Sequence, residues 1–190
     1  MLGKLIVIEG VDSSGKATQS KLLFDRISEK QRARLIPFPD YESDFSLPVR
    51  RYLAGDLGAD PSCVNAYAAS SFYAIDRYAS YRRGWGEFYE SGGALVADRY
   101  TTSNLVHQAG KLKSGRRDFI DWLTDYEYNR LGLPVPDLVI FLDMPPEYAA
   151  ELMRFRKNKI TGGEQKDIHE SNTEYLENAY KNAAISTAFL

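Results

Sequence analysis

Residues 10–18 of this chain are Gly10-Val11-Asp12-Ser13-Ser14-Gly15-Lys16-Ala17-Thr18. A short apolar run, Leu5–Ile8, precedes them and predicts a buried strand, and a stretch with helical spacing begins at Lys16. A glycine-rich turn that ends in Gly-Lys between a strand and a helix is typical of a loop that binds nucleotide phosphates. The glycines let backbone N–H groups converge on one anion, the helix N-terminus adds its positive end, and Lys16 adds a full charge. We expect all nine residues to bind the phosphates of ATP or GTP; the alternative is a glycine-rich turn beside a solvated lysine.

The loop departs from its usual pattern at Ala17, where a serine or threonine hydroxyl normally binds Mg²⁺. Thr18 carries a hydroxyl, but one residue along a helix is a rotation of about 100°. Either Thr18 is reoriented, or carboxylates and water hold the ion instead. We favour the carboxylates and expect Asp12 and Asp98 to be the metal ligands.

Apolar runs alternate with longer amphipathic stretches, without a repeat or a low-complexity linker. The pattern predicts strands at Leu5–Ile8, Arg34–Ile36, Ala94–Ala97 and Leu138–Leu142. It predicts helices at Lys16–Lys30, Pro48–Ala54, Ser62–Arg83, Ser103–Gln108, Asp118–Arg130, Pro146–Arg156 and Asn172–Ala184. Strand–helix alternation implies a three-layer α/β/α fold with a parallel central sheet, and ligands then bind beyond the carboxyl ends of the strands. A length of 190 residues suits one domain over residues 1–190.

Composition narrows the partners that we expect. The net charge of −2 provides no overall basic field, so we expect neither nucleic acid nor a membrane as a partner. No apolar run approaches the roughly 20 residues that a membrane span needs, and the run at Leu5 is too short for a signal peptide. The single cysteine, Cys63, cannot form an internal disulfide, which favours the reducing cytoplasm.

A second polar cluster follows the predicted strand Ala94–Ala97. Asp98 and Arg99 stand at the end of that strand, so both side chains should project near the phosphate loop. A carboxylate there can order Mg²⁺ or an incoming phosphate, and a guanidinium can neutralise charge on a transferring group. The alternative is a surface Asp–Arg pair of little energetic value.

Several motifs, taken in their order, resemble the thymidylate kinase family. They are Ile8-Glu9-Gly10-Val11-Asp12 with Gly15-Lys16, Phe38-Pro39, Tyr73-Ala74-Ile75-Asp76-Arg77, Asp98-Arg99-Tyr100 with Ser103-Asn104, and Pro136-Asp137-Leu138. The resemblance covers nearly the whole chain and implies a P-loop kinase fold with a mobile lid. It implies an ATP-dependent dTMP kinase of dTTP biosynthesis, which uses Mg²⁺ and transfers the γ-phosphoryl group of ATP to dTMP, giving dTDP and ADP. Family members usually form homodimers, so we expect one here.

The resemblance also implies an acceptor site. Tyr73 stands where the family usually has a phenylalanine stacked on thymine, and Arg77, one helical turn later, should bond a base carbonyl. The other expected contacts are Phe38 at the pocket wall, Asn104 at the base, Arg99 at the acceptor phosphate, His107 at the sugar, and Glu170 near the sugar or Mg²⁺. Core packing is the alternative for Tyr73. His107 replaces a usual tyrosine or phenylalanine, and a packed or solvated histidine is its alternative.

The basic run 154–163 lies where the family has its lid, which we place at about 154–170. The phosphate loop carries serines at 13 and 14 and lacks the arginine found there in one branch of the family. The resemblance to the other branch implies that a lid cation replaces it and stabilises the transferring phosphoryl group. Arg156 is the residue we name as catalytic with Lys16, Asp98, Arg99 and Asp12, while Arg154, Lys157 and Lys159 stay open as the lid cation.

Two other functions compete with the monophosphate kinase. A deoxynucleoside kinase would need a carboxylate base for a hydroxyl acceptor, and Glu9 is its candidate. A non-catalytic nucleotide-binding switch is favoured by Ala17, whereas Asp98-Arg99 and the basic lid argue against it.

Overall fold

The computed structural model describes residues 2–153 and 167–186. In these residues the sheet has four strands, β1 (Leu5–Gly10), β2 (Ala33–Pro37), β3 (Ala94–Asp98) and β4 (Leu138–Leu142). Their order is β2-β3-β1-β4, and every neighbouring pair is parallel. Crossovers therefore return the chain to the same edge each time, and the carboxyl ends of all four strands meet there. The predicted parallel sheet is confirmed.

Eight α-helices accompany the strands in the described part of the chain. They are α1 (Lys16–Ser28), α2 (Leu47–Leu53), α3 (Ala66–Ser80), α4 (Gly86–Glu90), α5 (Thr102–His107), α6 (Arg116–Thr124), α7 (Pro146–Met153) and α8 (Thr173–Ser186). Wider π-helical turns follow α3 at Tyr81–Trp85 and α6 at Asp125–Arg130. Short 3₁₀ turns lie at Asp44–Ser46, Pro61–Cys63 and Ala109–Lys111. No helix of the described residues is long and apolar enough to cross a membrane.

The predicted helix Ser62–Arg83 is wrong in its extent. Val64 is extended at φ −109° and ψ 121°, and α3 begins only after Asn65, whose Oδ1 accepts a 2.9 Å hydrogen bond from Ala68 N. This cap satisfies one of the backbone N–H groups that the first helical turn leaves without a partner. Tyr73 and Arg77 stand four residues apart in α3 and therefore lie on one face of the helix.

Both faces of the sheet are covered at its central strands, β1 and β3, whereas β4 exposes Leu138 and Ile140. Successive side chains of a strand point to opposite faces, and all five residues of β3 are buried. On one face, Leu5, Val7, Leu95 and Ala97 form a cluster with Trp85, Tyr89 and Tyr100. The two strands that carry the candidate site, β1 and β3, are the central strands of the sheet and are paired on both sides.

Candidate active site

The phosphate loop begins where β1 ends. Gly10 has φ 154°, and a Cβ atom there would lie 2.6 Å from Ser14 Oγ and 2.9 Å from the carbonyl oxygen of Leu142. Only glycine allows this close approach between the loop and β4. Gly15 then takes the left-handed conformation, φ 87°, directly before α1 begins at Lys16. The geometry places the nine predicted residues in a strand–loop–helix turn.

Lys16 is buried in the loop that it closes. Its side chain is 5% exposed, and Nζ donates a 2.6 Å hydrogen bond to the carbonyl oxygen of Val11. Burial and the positive charge of Arg99 lower its pKa to about 7, against smaller opposing contributions from nearby carboxylates. The ammonium group therefore lies close to Arg99 and makes no ion pair with a described residue, so an arriving phosphate would give it a direct anionic contact.

Arg99 is fixed at the end of β3 by acidic partners. Its φ of 70° turns the side chain off the strand direction, and its Nη2 donates to Asp12 Oδ1. Its Nη1 lies 3.5 Å from Glu9 Oε1 and 3.3 Å from Ser103 Oγ. Burial alone would lower the pKa of Arg99, but the charges of Asp12 and Glu9 outweigh it and the net shift is upward. The alternative of a surface Asp98–Arg99 pair is therefore not what the structure shows, because the Arg99 side chain is 12% exposed and pairs with Asp12.

Glu9 connects several elements at this edge of the sheet. Its carboxylate is fully buried and accepts hydrogen bonds from Gly10 N (2.9 Å), Thr102 Oγ1 (2.8 Å) and Ser103 Oγ (2.7 Å). It thereby joins the phosphate loop to the start of α5. Because Glu9 is fully buried and already accepts three hydrogen bonds, its structural role disfavours it as the base that a deoxynucleoside kinase would need.

A cavity of about 740 Å³, measured to include its open mouth, lies beside this edge. Eight residues predicted from the sequence line it: Asp12, Phe38, Tyr73, Arg77, Arg99, Asn104, His107 and Glu170. The lining includes Tyr41, Asp167 and His169, which the sequence analysis did not assign to the substrate. Lys16 and Asp98 are not part of the lining and lie at the phosphate-loop end, next to Arg99.

The far end of the cavity contains the residues predicted to contact a base. Burial raises the pKa of Tyr73 well above its usual value, so its hydroxyl stays neutral. Phe38 is 5% exposed and packs against Tyr100 with ring centroids 5.8 Å apart, so it serves the core as well as the cavity wall. The peptide bond between Phe38 and Pro39 is cis.

Glu127 is the site residue that sequence reasoning missed. It is fully buried in the π-helical turn after α6 and accepts hydrogen bonds from Arg77 Nε (2.7 Å) and Nη2 (2.5 Å). Thr101 Oγ1 donates to it at 2.8 Å and Asn104 Nδ2 at 3.4 Å. The sequence offered no clear signal, because the same aromatic-rich segment also carries Asp118, Asp121 and Asp125. Only the fold shows which of these carboxylates is buried and therefore requires partners.

His107 is neutral in this environment. Burial and the charge of Arg99 lower its pKa to about 3, and its ring stacks at 6.2 Å from His169 and 6.0 Å from Tyr175. This packing matches a sugar-facing or structural role and excludes a cationic one near pH 7.

The described part of the lid begins at Asp167. Burial raises the pKa of Asp167 to about 6, although its Oδ1 accepts hydrogen bonds from the backbone of His169 and Glu170, each at 2.8 Å. Arg156 and the other lid cations, Arg154, Lys157 and Lys159, lie outside the described residues. The two acidic residues at the end of the predicted lid thus reach the cavity.

The predicted metal ligands differ in their surroundings. Asp98 is 8% exposed, and its buried Oδ1 has no hydrogen-bond partner, so this oxygen suits a cation or a cation-bound water. Asp12 is paired with Arg99. Residues 2–153 and 167–186 contain no group of three or more His, Cys, Asp or Glu that could hold a metal ion. Such an arrangement fits an ion that arrives with nucleotide phosphates and needs only one or two protein carboxylates.

Comparison with known proteins identifies the family. A family model described as "Thymidylate kinase" matches residues 8–188. The chain belongs to the thymidylate kinase family. Thymidylate kinases are phosphotransferase enzymes, so the chain is a phosphotransferase, and the family implies a P-loop and ATP binding.

Individual thymidylate kinases are similar over most of the chain. The Schizosaccharomyces pombe thymidylate kinase is 29% identical over 94% of this chain and 79% of its own length. The Mycobacterium tuberculosis (strain H37Rv) thymidylate kinase is 31% identical over 90% of this chain and 79% of its own. A solved structure of Candida albicans thymidylate kinase has a TM-score of 0.72 at 23% identity, covering 97% of this chain and 77% of that one. At this identity the structural likeness concerns the fold.

Proposed function

We propose that the protein transfers the γ-phosphoryl group of ATP to dTMP, giving dTDP and ADP. Membership of the thymidylate kinase family supports this reaction. The observation that carries it is the position of Arg99, which the end of β3 holds beside Lys16 at one end of a cavity. Tyr73, Arg77 and Asn104 line the same cavity and provide an aromatic ring and polar groups for a base.

Catalysis in this proposal is positioning and charge neutralisation. The acceptor phosphate is already a nucleophile, so the reaction needs no base comparable to that of a hydroxyl acceptor. Residues 10–18 hold the ATP phosphates, Lys16 contacts the terminal phosphates, and Arg99 clamps the phosphate of dTMP. His107 packs against the sugar as a neutral ring, and Glu170 lies near the sugar or the metal.

Mg²⁺ is the proposed cofactor. Bound with the nucleotide, it would supply positive charge that stabilises the transferring phosphoryl group. Asp98 and Asp12 would hold it through carboxylate oxygens or water, since Ala17 has no hydroxyl. The lid cation, for which Arg156 is our candidate, would neutralise the transferring group from the other side.

A coupled assay of ADP release tests the reaction. The acceptors are dTMP, dUMP, dCMP and thymidine, each with ATP and Mg²⁺. We expect turnover of dTMP and none of thymidine. Turnover of thymidine alone would favour the deoxynucleoside kinase, and binding of ATP without transfer to any acceptor would favour the non-catalytic switch. Lys16→Ala should remove activity while thermal melting shows a folded protein.

We further propose that the enzyme is a cytoplasmic homodimer. The outward face of α3 exposes Ile75 (45%) and Tyr78 (39%), and Phe45 (41%) lies beside them in one apolar groove. A second copy of this face would cover these residues. Sedimentation at micromolar concentration should give twice the chain mass of 21.5 kDa, and Ile75→Glu should give monomers. A wild-type monomer would contradict the dimer.

A further inference from the structure

One carboxylate holds both polar residues at the proposed base end of the cavity. Glu127 binds Arg77 through two hydrogen bonds, of 2.7 and 2.5 Å, and accepts a third from the amide nitrogen of Asn104 at 3.4 Å. Glu127 is fully buried and Arg77 is 2% exposed, so water does not compete for these bonds. Thr101 Oγ1 donates a fourth bond at 2.8 Å. The position of Glu127 therefore determines how Arg77 and Asn104 face the cavity.

The carboxylate sets the orientation of the Asn104 amide. An ionised carboxylate only accepts hydrogen bonds, so the amide NH₂ of Asn104 must face it. The carbonyl oxygen of Ser70, 3.5 Å from Asn104 Nδ2, imposes the same orientation. Among the described residues the amide oxygen of Asn104 accepts no hydrogen bond, and Asn104 lines the cavity. Asn104 thus offers the cavity an acceptor.

The same carboxylate leaves one edge of Arg77 for a ligand. Its Nε and Nη2 are directed to Glu127, while Nη1 makes only a long contact, 3.5 Å, with the carbonyl oxygen of Tyr100. Arg77 lines the cavity and is donor-only, so it offers a hydrogen-bond donor beside the Asn104 acceptor. A 4-oxopyrimidine has an acceptor at O4 and a donor at N3–H, which complement this pair. A 4-aminopyrimidine reverses both groups.

We propose that Glu127 is a positioning residue that fixes the Arg77 donor and the Asn104 acceptor, and so makes the site select 4-oxopyrimidine over 4-aminopyrimidine monophosphates. The inference rests on the proposed function, because it takes the acceptor nucleotide to bind with its base at this end of the cavity. Glu127 itself does not line the cavity and acts only through its two partners.

Glu127→Gln tests the proposal, since glutamine keeps the size of the side chain but adds a donor that can bond the Asn104 oxygen. We expect the KM for dTMP to rise by at least about tenfold while kcat stays within about threefold, because paired hydrogen bonds dominate such discrimination. The ratio of kcat/KM for dTMP over dCMP should fall at least about tenfold. An unchanged ratio in the folded variant overturns the proposal.

Two further variants separate positioning from stability. Breaking a buried ion pair destabilises a fold strongly, so Thr101→Val, which removes one donor to Glu127 and keeps the pair with Arg77, provides a milder test. It should lower the same ratio by about threefold, the effect of one weakened hydrogen bond. Leu5→Ala, in the core at the opposite end of β1, should destabilise the protein and leave the ratio unchanged. An equal change of ratio in Leu5→Ala, or none in Thr101→Val, overturns the proposal.

Binding measurements distinguish a failure of this inference from a failure of the proposed function. If the wild-type enzyme does not turn over dTMP, the proposed function fails, and calorimetric Kd values for dTMP and dCMP then decide the inference. The wild type should prefer dTMP in binding, and Glu127→Gln should remove that preference. Equal wild-type affinities for the two nucleotides overturn the inference whatever the catalytic result.

Discussion

Binding of ATP should draw a proton onto Lys16. In the free protein Lys16 is 5% exposed, and among the described residues its ammonium group bonds only the carbonyl oxygen of Val11. Burial and the neighbouring charge of Arg99 lower its pKa to about 7. Asp12, Glu9 and Asp98 act in the opposite direction but do not outweigh burial. A bound triphosphate places negative charge against Nζ and so gives the ammonium group a direct anionic contact. We therefore expect the pKa of Lys16 to rise back towards its usual value when ATP binds, as an opposite charge at contact distance favours the ammonium form.

The size of the effect follows from this shift. With a free-state pKa of about 7, roughly nine-tenths of Lys16 is neutral at pH 8, so ATP binding should take up about 0.9 proton there and about 0.5 at pH 7. The Kd for ATP should rise by about tenfold for each pH unit above 7, or about 1.4 kcal/mol per unit. Phosphate groups of this kind lose their last proton at about pH 6–7, so ATP itself contributes little at pH 8.

Titration calorimetry at pH 8 in two buffers of different ionisation enthalpy measures the uptake directly. Lys16→Arg is the informative variant, since a guanidinium stays protonated and should take up less than about 0.2 proton. Lys111 is the matched control, because burial lowers its pKa to about 7 as well. It lies outside the phosphate loop, and its Nζ donates a 2.7 Å hydrogen bond to Tyr52 Oη. Lys111→Arg should leave the uptake unchanged. A wild-type uptake below about 0.2 proton at pH 8, or the same uptake in Lys16→Arg, would refute the reasoning.

Other predictions concern the acceptor side. Arg99→Lys keeps a charge but loses the planar fork, and kcat with dTMP should fall by about 10²-fold in the coupled assay; an unchanged kcat would argue against a phosphate clamp. Tyr73→Phe should leave the KM for dTMP within about threefold, whereas Tyr73→Ala should raise it about tenfold or more, because a base stacked on an aromatic ring gains roughly 1–3 kcal/mol. Burial raises the pKa of Asp167 from 3.8 to about 6, so the folded state binds more protons than the unfolded state between these values. Stability should therefore fall by about 2–3 kcal/mol as pH rises from 4 to 6, and urea unfolding of Asp167→Asn should show a flatter profile; parallel profiles would contradict this.

The sheet was predictable because its signals are local. The strand Leu138–Leu142 has the predicted bounds, and the phosphate loop lies directly between β1 and α1 as its spacing indicates. The helix α4 was missed, and the stretch after α3 was taken as continuous helix. The π-helical turns lie at Tyr81–Trp85 and Asp125–Arg130 and contain more residues per turn than an α-helix. A search for apolar residues spaced at 3.6 per turn does not detect such turns.

The candidate site was predictable where geometry follows from topology or where motifs carry the family resemblance. Asp98 and Arg99 could be placed because carboxyl ends of parallel strands meet at one edge of the sheet. Glu127 could not, since it lies 50 residues from Arg77 and reaches it only after α6 has packed. The pairing of Arg99 with Asp12 joins residues 87 apart, and the left-handed φ of Arg99 that allows it has no sequence signature.

The described residues around the cavity carry too little positive charge to hold two phosphate-bearing substrates. The carboxylates of Glu9, Asp12 and Asp98 lie near the two cations Lys16 and Arg99. Asp167 and Glu170 add further acidic groups to the lining, and the Arg77 charge is already matched by Glu127. Carboxylates therefore outnumber the cations that could meet a ligand, yet the proposed reaction brings together two phosphate-bearing substrates. Since like charges in a buried site repel strongly, we infer that the proposed transfer requires cations besides Lys16 and Arg99, and Mg²⁺ is the one that the proposed mechanism supplies.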